Sequence, residues 1–109
     1  MGMVARRFDV HLVRLDPTLG AEIQKTRPCL VVSPDEMNRY LRTVIVAPLT
    51  TRDKPYPSRV ACRFQGKSGQ VALDQLRSVD QARLAKRLGT VDGKTQSAVL
   101  SVLAEIFAP

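Results

Sequence analysis

The sequence predicts a mostly-β fold with α elements: a small, strongly curved antiparallel barrel with short helices and a C-terminal amphipathic helix. Short apolar or alternating runs lie between residues 8 and 80, separated by turn residues, as is typical of small all-β domains. After Asp92 the apolar residues recur every three or four positions, which indicates a helix. A chain of 109 residues has the length of one domain, so we expect residues 1–109 to form a single domain.

The first strand is predicted by the run "RFDVHLVRL", in which apolar and polar residues alternate. Phe8, Val10 and Leu12 fall on one face of this strand. Asp9 and His11 fall on the other face, so we expect a strand with one face buried and the other exposed.

The next strands are separated by loops with clear turn signals. The loop "DPTLGAEIQKT" contains Asp16-Pro17 and Gly20, and the strand "PCLVVS" follows it, with Pro28 tolerated at its first residue. The run "TVIVAPLT" is almost wholly apolar, which predicts a strand in the centre of the sheet. After the polar loop "TRDKPYPS", shorter strands are predicted at "RVACRF", "QVALDQ" and "RSVD", with "QGKSG" as a turn.

Two helical segments complete the fold. A short helical turn is predicted at "PDEMNRYL", with Ser33 as N-cap and Pro34 at the first helical position. The C-terminal helix is predicted to begin after Asp92 as its N-cap. Its apolar residues at helical spacing are Val99, Leu100, Leu103, Ile106 and Phe107.

The charge is strongly positive. Lys and Arg number 17 and Asp and Glu number 10, which gives a formal net charge of +7 at pH 7. Such a balance favours a polyanionic partner, either nucleic acid or an acidic protein segment. A basic surface that only keeps the protein soluble is the alternative.

The sequence argues against a metal enzyme, a membrane-spanning protein and a nucleotide-binding protein with a phosphate-binding loop. Cys29 and Cys62 stand in strand-like apolar runs, so we expect buried free thiols in a reducing cytoplasm. Neither cysteine has the spacing of metal ligands, and His11 is the only histidine, so we expect no metal or cofactor. No apolar run approaches the ~20 residues that span a bilayer. The "GKS" at residues 66–68 is rejected as a phosphate-binding loop, since the glycine required five positions earlier is Ala61.

Arg27 is a candidate functional residue within the stretch "GAEIQKTRPCLVV". The following Pro28 keeps the backbone of Arg27 out of the helical region, which puts Arg27 where a loop enters a strand. Loop residues held by a rigid scaffold often bind or react with a ligand. A charge that only solvates the end of the strand is the alternative.

An ordered set of segments resembles one known family. The segments "LDPTLGAEIQKTRPCLVVS", "NR", "VIVAPLTT", "YPSRV" and "LDQLRSVDQARL" are similar, in order and spacing, to those of the MazF/PemK toxins. The resemblance extends from Arg7 to the terminal helix. It implies an SH3-like barrel of the Kid–CcdB type, in a homodimer that cuts single-stranded RNA and is blocked by an acidic, MazE-like antitoxin.

The resemblance also implies the site. Arg27 matches the catalytic arginine, whose guanidinium suits phosphate oxygens as negative charge develops on them. Thr50 matches the catalytic hydroxyl. RNA can be cut without a metal because its own 2′-OH can attack the adjacent phosphate, a route closed to DNA. The residues implied in catalytic support or substrate binding are Glu22, Lys25, Thr51, Asp74 and Gln75.

The supporting residues are assigned distinct tasks. Glu22 is expected to orient Arg27 or to accept a proton, or else to be a solvated loop acid. Asp74 helps to form the site, and Gln75 is suited to reading the edge of a base. Arg77 is expected to support the structure or the phosphate path.

Departures from the family pattern leave the general base open. Ala21 and Ala72 occupy positions where one branch of the family has a histidine and an arginine, so a mechanism built on those two groups does not apply. A CcdB-like gyrase poison is disfavoured because the chain has no Trp. A non-catalytic RNA-binding module is disfavoured because Arg27 and Thr50 are both present.

Overall fold

The computed structural model describes residues 4–109, so residues 1–3 of the predicted domain lie outside the described residues. The strands are β1 (Asp9–Arg14), β2 (Thr26–Val31), β3 (Thr43–Thr50), β4 (Arg59–Phe64), β5 (Lys67–Ala72), β6 (Arg77–Asp80) and β7 (Leu84–Thr90). The helices are α1 (Asp35–Tyr40) and α2 (Gly93–Ile106), and single 3₁₀ turns lie at Leu73–Gln75 and Gln81–Arg83. Within residues 4–109, no helix is long and apolar enough to cross a membrane.

The seven strands of residues 4–109 form one antiparallel sheet. Six of them follow the order β4-β5-β3-β2-β1-β7, and β6 pairs with β3 outside this order. Strand β3 has β2 on one side. On its other side, β6 pairs with Thr43–Val46, and β5 pairs with Leu49 and Thr50. The apolar run "TVIVAPLT" is therefore the central strand, as predicted.

The sheet curls until its two edge strands approach each other. In residues 4–109 no ladder joins β4 to β7. The Gln65 side chain nevertheless donates from Nε2 to the Leu88 carbonyl at 3.2 Å, and the Phe64 ring lies against Gly89. The predicted fold class, a curved antiparallel barrel with a C-terminal helix, is confirmed in the form of a half-barrel.

Two apolar clusters stabilise the curled sheet. The first, which α2 covers, comprises Val10, Leu30, Val32, Ala47, Val60, Cys62, Val71, Leu73, Val91 and Val99. The second comprises Ala5, Val13, Leu15, Cys29, Val31, Val44, Val46 and Val79. Neighbouring residues of β2 and β3 belong to different clusters, and side chains alternate between the faces of a strand. The middle of the sheet is therefore buried on both faces, and both cysteines are buried free thiols as expected.

The prediction that β1 exposes one face is wrong. Asp9 and His11 are 5% and 4% exposed. Strand β7 covers this face, where Arg87 and Thr90 both donate hydrogen bonds to the Asp9 carboxylate. A polar residue in an alternating run can thus be buried when a neighbouring strand supplies its partner.

The short helix begins one residue later than predicted. Pro34 is the N-cap residue, without a side-chain hydrogen bond, and Asp35 is the first helical residue. Ser33 does not cap the helix. Its hydroxyl donates to Asn38 Oδ1 at 2.6 Å and accepts from the Ile45 amide at 3.0 Å, so it ties α1 to β3.

The C-terminal helix agrees with the prediction. The Asp92 carboxylate accepts from the Thr95 amide at 2.8 Å, as an N-cap does. Val99 is fully buried against the first cluster. Leu100, Ile106 and Phe107 are exposed, so only one side of the apolar stripe packs on the sheet.

Several strand bounds and the number of strands differ from the prediction. The last three residues of the predicted strand "QVALDQ", Leu73–Gln75, form a 3₁₀ turn. Strand β2 begins at Thr26, two residues before Pro28. The β4–β5 turn consists of Gln65 and Gly66, both at positive φ, so the rest of the "QGKSG" segment belongs to β5. Strand β7 was not predicted, because its pattern is largely exposed and lacks alternation.

Candidate functional site

Arg27 and Thr50 line the same cleft, whose volume is about 290 Å³. Its apolar wall is formed by Pro28, Leu49, Cys62 and Phe64. Its other lining residues are Arg27, Thr50, Thr51, Gln65, Lys67, Ser68, Gly69 and Gln70. We call this feature the Arg27–Thr50 cleft. It lies where the loop into β2, the end of β3 and the β4–β5 hairpin meet.

Within residues 4–109, the guanidinium of Arg27 is held at one nitrogen only. Arg27 is the second residue of β2 and pairs with Val13 of β1. Its Nε donates to the Gln24 carbonyl at 3.1 Å, and it forms no ion pair with any residue of 4–109. A half-buried guanidinium with its terminal nitrogens available can bind an anion through two donors at once.

The side chain of Thr50 is oriented by the loop that follows it. Thr50 ends β3, is 9% exposed, and its Oγ1 accepts from the Arg52 amide at 3.1 Å. Because that bond uses a lone pair of the hydroxyl, the O–H hydrogen can still be donated to a ligand.

Gly69 allows β5 to approach the main chain of Thr50 closely. A Cβ at Gly69 would lie 2.6 Å from the Thr50 carbonyl oxygen, closer than real Cβ atoms come. The neighbour is backbone, so a larger residue would displace one of the two strands. Glycine at this position therefore fixes the wall of the cleft beside Thr50.

A second cleft, of about 330 Å³, contains the other predicted acids. It is lined by Ala21, Glu22, Ile23, Pro48, Asp74, Gln75, Leu76 and Arg77. Adjacent residues of β3, Pro48 and Leu49, line the second cleft and the Arg27–Thr50 cleft respectively. Of the predicted site residues, Arg27, Thr50 and Thr51 thus line the first cleft. Glu22, Asp74 and Gln75 line the second.

Glu22 stabilises the loop between β1 and β2. Its Oε1 accepts from the Leu19 amide, and its own amide donates to the Leu19 carbonyl at 3.1 Å. The expected contact with Arg27 is not among the bonds of residues 4–109, where Arg27 donates to the Gln24 carbonyl. Glu22 therefore acts on the loop that carries Arg27 and does not pair with the guanidinium.

Asp74 is held by a two-pronged ion pair. Arg59 donates to Oδ1 from Nε at 2.6 Å and to Oδ2 from Nη2 at 3.0 Å, and Ser58 Oγ donates to Oδ1 at 2.9 Å. The hydrogen bond from Arg59 lowers the pKa of Asp74 below its usual value. A carboxylate whose oxygens are so engaged is a poor proton acceptor, and its observed role is to fix the start of β4.

Gln75 binds the loop between β1 and β2. Its Oε1 accepts from the Ile23 amide at 3.2 Å, and its Nε2 donates to the Ala21 carbonyl at 3.4 Å. Both ends of the amide are therefore engaged with the main chain, and a base edge would have to compete with these bonds. Arg77 supports the same region, since its Nη1 donates to the Leu15 carbonyl at 3.0 Å.

The remaining predicted residues lie at the rim. Thr51 lines the Arg27–Thr50 cleft. Lys25 has φ of 71°, and its main-chain carbonyl accepts from the Leu15 amide at 3.0 Å. Its exposed side chain lines neither cleft. Arg52 and Lys54 are exposed on the loop after Thr51. The positive charges that could contact a polyanion thus extend beyond the cleft on two loops.

The sequence interpretation missed the contribution of the β4–β5 hairpin. Lys67, Gly69 and Gln70 line the cleft, although residues 67–69 were interpreted as part of a turn. Gln70 lies opposite Thr50 in the β3–β5 register. That pairing joins segments distant in sequence, and no local pattern indicates it.

The thiols and acids of the described residues give no further reactive group. Burial raises the pKa of the Cys62 thiol, which lines the cleft, and raises that of Cys29 to about 12. Both are therefore neutral thiols at pH 7, and a neutral thiol is a weak nucleophile. Within residues 4–109, no group of three or more His, Cys, Asp and Glu side chains is placed to hold a metal ion.

Comparison with known proteins gives a consistent match. Residues 6–107 match the family model described as the PemK-like, MazF-like toxin of type II toxin–antitoxin systems. Endoribonuclease PemK of Escherichia coli is 38% identical over 107 aligned positions, which cover 93% of this chain and 80% of that protein.

Two solved structures share the fold. The crystal structure of MazF from Deinococcus radiodurans superposes with a TM-score of 0.84 at 29% identity, covering 96% of this chain and 97% of that one. A mycobacterial endoribonuclease in complex with its cognate antitoxin superposes with a TM-score of 0.82 at 25% identity, covering 96% and 97%.

Proposed function

This chain belongs to the PemK-like, MazF-like toxins of type II toxin–antitoxin systems and is an endoribonuclease of that family, and we propose that it cuts single-stranded RNA in the Arg27–Thr50 cleft without a metal ion. One observation carries the proposal. Arg27 and Thr50 come from different strands and line one cleft, and the terminal guanidinium nitrogens of Arg27 and the hydroxyl hydrogen of Thr50 are available to a phosphate.

The proposed reaction is an internal transfer at phosphorus. The 2′-oxygen forms a bond to the adjacent phosphorus as the bond from phosphorus to the 5′-oxygen breaks. The 2′-OH gives up its proton and the leaving 5′-oxygen takes one up, so the products are a 2′,3′-cyclic phosphate and a 5′-OH. RNA alone supports this route because DNA has no 2′-OH.

Arg27 contributes electrostatic stabilisation in this scheme. The crowded phosphorane carries more negative charge on its non-bridging oxygens than the ground state does. Donors fixed before the reaction lower its energy selectively. Strand pairing to Val13 and the bond to Gln24 hold the arginine in place. A guanidinium does not give up its proton in proteins, so we assign Arg27 charge stabilisation and not acid catalysis.

Thr50 positions the phosphate or the 2′-OH. The Arg52 amide donates to Oγ1 and so holds the side chain in place. The single hydrogen of the hydroxyl can then be directed toward the ligand. The two acids of the second cleft are assigned structural roles that support the site. Asp74 holds Arg59, Glu22 closes the turn before Arg27, and the general base is left unassigned.

The route of the RNA beyond the cleft follows the exposed positive charge. Lys25, Arg52 and Lys54 lie on the two loops beside the cleft, and neutralising phosphates with such residues makes the affinity salt-dependent. We propose that two chains form a homodimer, in which both copies of these loops border one groove.

A cognate antitoxin is proposed as the second partner. A structural relative is described as an endoribonuclease in complex with its cognate antitoxin. With a formal net charge of +7, this chain would attract an acidic segment that orders on binding and covers Arg27. RNA and antitoxin should therefore compete for one surface.

The proposed chemistry is tested by incubating the pure protein with a mixed RNA in excess EDTA and mapping the ends of the fragments. Cleavage with 5′-OH ends and cyclic or 3′-phosphates is expected. Strict dependence on added Mg²⁺, or fragments with 5′-phosphates, would exclude the proposed reaction. Arg27→Ala, prepared in the same way, controls for contaminating nucleases.

A further inference from the structure

The side-chain amide of Gln70 binds two consecutive residues of the loop that follows Thr50. Its Nε2 donates to Asp53 Oδ1 at 2.9 Å and to the Lys54 carbonyl at 3.0 Å. Its Oε1 accepts from the Lys54 amide at 3.1 Å. Both hydrogens of the amide nitrogen and one lone pair of the oxygen are therefore used on one loop.

The loop held by Gln70 carries much of the proposed site. Thr50 lies directly opposite Gln70 in the β3–β5 pairing, and Thr51 lines the Arg27–Thr50 cleft. The Arg52 amide donates to Thr50 Oγ1. Through its bonds to Asp53 and Lys54, Gln70 holds residues 51–54 against the paired ends of β3 and β5.

We propose that Gln70 is a positioning residue, which holds the Thr51–Lys54 loop so that the Arg52 amide stays on Thr50 Oγ1. This inference rests on the proposed function. The loop is otherwise exposed, and without the three bonds its residues would regain conformational freedom. The hydroxyl of Thr50 would then lose its fixed orientation, and the cations of Arg52 and Lys54 would lose theirs.

The proposal predicts effects on both binding and chemistry. Freeing Arg52 and Lys54 weakens contacts to phosphates, which raises KM. Freeing the Arg52 amide leaves Thr50 in several orientations, which lowers kcat. Misplacement of a reacting group by about 1 Å can cost ~10²-fold, so we expect Gln70→Ala to lower kcat/KM by about 10- to 100-fold.

Gln81 provides a matched control. Its Nε2 donates to the Asn38 and Leu41 carbonyls, both at 2.9 Å, so it also binds main-chain atoms through its amide. Gln81 lines neither cleft. Gln81→Ala therefore removes comparable bonds elsewhere in the molecule, and a general loss of stability would affect both variants alike.

Gln70→Glu gives a readout that a purely structural role would not change. An ionised carboxylate lacks the donors and repels Asp53, whereas the protonated acid restores one donor. The charged groups near this side chain are Asp53 and Lys54 on the loop, with Arg27 and Lys67 on the cleft. The rate of Gln70→Glu relative to wild type should rise as the pH falls from 7 to 4, through the range in which a glutamate carboxyl ordinarily takes up a proton, whereas that of Gln70→Ala should stay constant.

The experiment combines single-turnover cleavage with amide hydrogen exchange, measured on wild type, Gln70→Ala, Gln70→Glu and Gln81→Ala. We expect the stated loss for Gln70→Ala, a rate within about twofold of wild type for Gln81→Ala, and faster exchange of the Lys54 amide in Gln70→Ala alone. Equal rates in the two alanine variants would overturn the proposal, as would unchanged exchange at Lys54.

The exchange measurement separates this proposal from the proposed function. If wild-type protein fails to cut RNA, the proposed function fails. The exchange of the Lys54 amide then decides by itself whether Gln70 holds the loop: slower exchange in wild type than in Gln70→Ala supports it, and equal exchange refutes it.

Discussion

At the scale of single residues, Arg27 and Thr50 differ from Glu22, Asp74 and Gln75 in having groups available to a ligand within one cleft. Glu22, Asp74 and Gln75 are engaged with the loop after β1 or with Arg59. A side chain already satisfied by the protein supports the site by fixing its neighbours. We therefore propose that the chemistry depends mainly on Arg27 and Thr50.

The first prediction concerns these two side chains. Arg27→Ala should lower the single-turnover cleavage rate by ~10²–10³, the usual cost of removing one donor to a transition state. Thr50→Ala should lower the rate while RNA binding, measured with an uncleavable RNA, stays near that of wild type. The midpoint of thermal unfolding should change little in Arg27→Ala, because its guanidinium forms no ion pair in residues 4–109.

Arg39→Ala is the control for loss of one positive charge, because Arg39 is exposed on α1 and lines neither cleft. It should cut at nearly the wild-type rate. Near-wild-type rates in both Arg27→Ala and Thr50→Ala would show that the site has been assigned to the wrong residues.

The sequence predicted which residues line the two clefts more successfully than it predicted their contacts. Arg27 and Thr50 follow from the order of the family segments, and the same is true of Asp74 and Gln75. The hydrogen-bond partners of Asp74 and Gln75 cannot be predicted in this way. Arg59 bonds to Asp74, and the Ile23 amide bonds to Gln75, between segments that only the folded chain brings together. The base-reading role expected of Gln75 remains a prediction, which its bonds to the loop oppose.

At the scale of elements, the close approach of β5 to the end of β3 determines the shape of the cleft. The second prediction follows from it. Gly69→Ala should lower both the cleavage rate and the thermal stability, because its Cβ would lie 2.6 Å from the Thr50 carbonyl oxygen. Displacement of either strand moves Thr50 relative to Arg27.

The control for this substitution is Gly93→Ala, at the start of α2. A Cβ at Gly93 meets nothing within 4 Å and its φ is not in the left-handed region, so alanine should be neutral or slightly stabilising there. Cleavage is measured in single turnover and stability by thermal unfolding. Unchanged cleavage in Gly69→Ala would contradict the role assigned to the strand contact.

The third prediction concerns β1 and β7. Burial lowers the pKa of His11 below its ordinary value of 6.5. The charge of Asp9 opposes this shift and the charge of Arg87 adds to it. The unfolded chain therefore binds more protons than the folded protein below about pH 6.5. The free energy of unfolding should fall as the pH is lowered from 7 through this range, until His11 protonates in the folded state as well.

Urea unfolding at a series of pH values measures this slope. The ordinary pKa of Asp is 3.8, and those of Asp9 and Asp74 lie lower still, so these acids change stability only in a more acidic range. His11→Gln removes the titrating group and should flatten the curve between pH 5 and 7. An equally steep curve in that variant would show that another group is responsible.

Most elements could be predicted, and the failures have physical causes. Apolar runs identified β1 to β6, and the cap at Asp92 identified α2. Strand β7 is an edge strand with a largely exposed pattern, so its burial periodicity is weak. The buried face of β1 depends on Arg87, whose pairing with Asp9 spans most of the chain.

At the scale of the whole molecule, the excess of positive charge and the curled sheet act together. The net charge of +7 attracts polyanions from a distance. The sheet curls so that Gln65, after β4, bonds to Leu88 of β7. The loops beside the cleft connect the strands of this curled sheet. We therefore propose that one surface attracts both RNA and an acidic antitoxin.

The fourth prediction concerns assembly. Light scattering across a dilution series should give the mass of a dimer, and the cleavage rate per chain should fall where the dimer dissociates. An antitoxin tail and an uncleavable RNA, added together, should compete for the protein. A monomer that cuts at the full rate would refute the shared groove, and simultaneous binding at full affinity would refute inhibition by occupancy.

The fifth prediction is the most direct test of the claim that the RNA supplies its own nucleophile. Once the cut site is mapped, two oligonucleotides are compared in EDTA, identical except that one has a single 2′-deoxynucleotide immediately 5′ of the cut phosphate. The protein should cut the RNA and leave the substituted strand intact while binding both with similar affinity. Cleavage of both strands at equal rates would contradict attack by the 2′-OH.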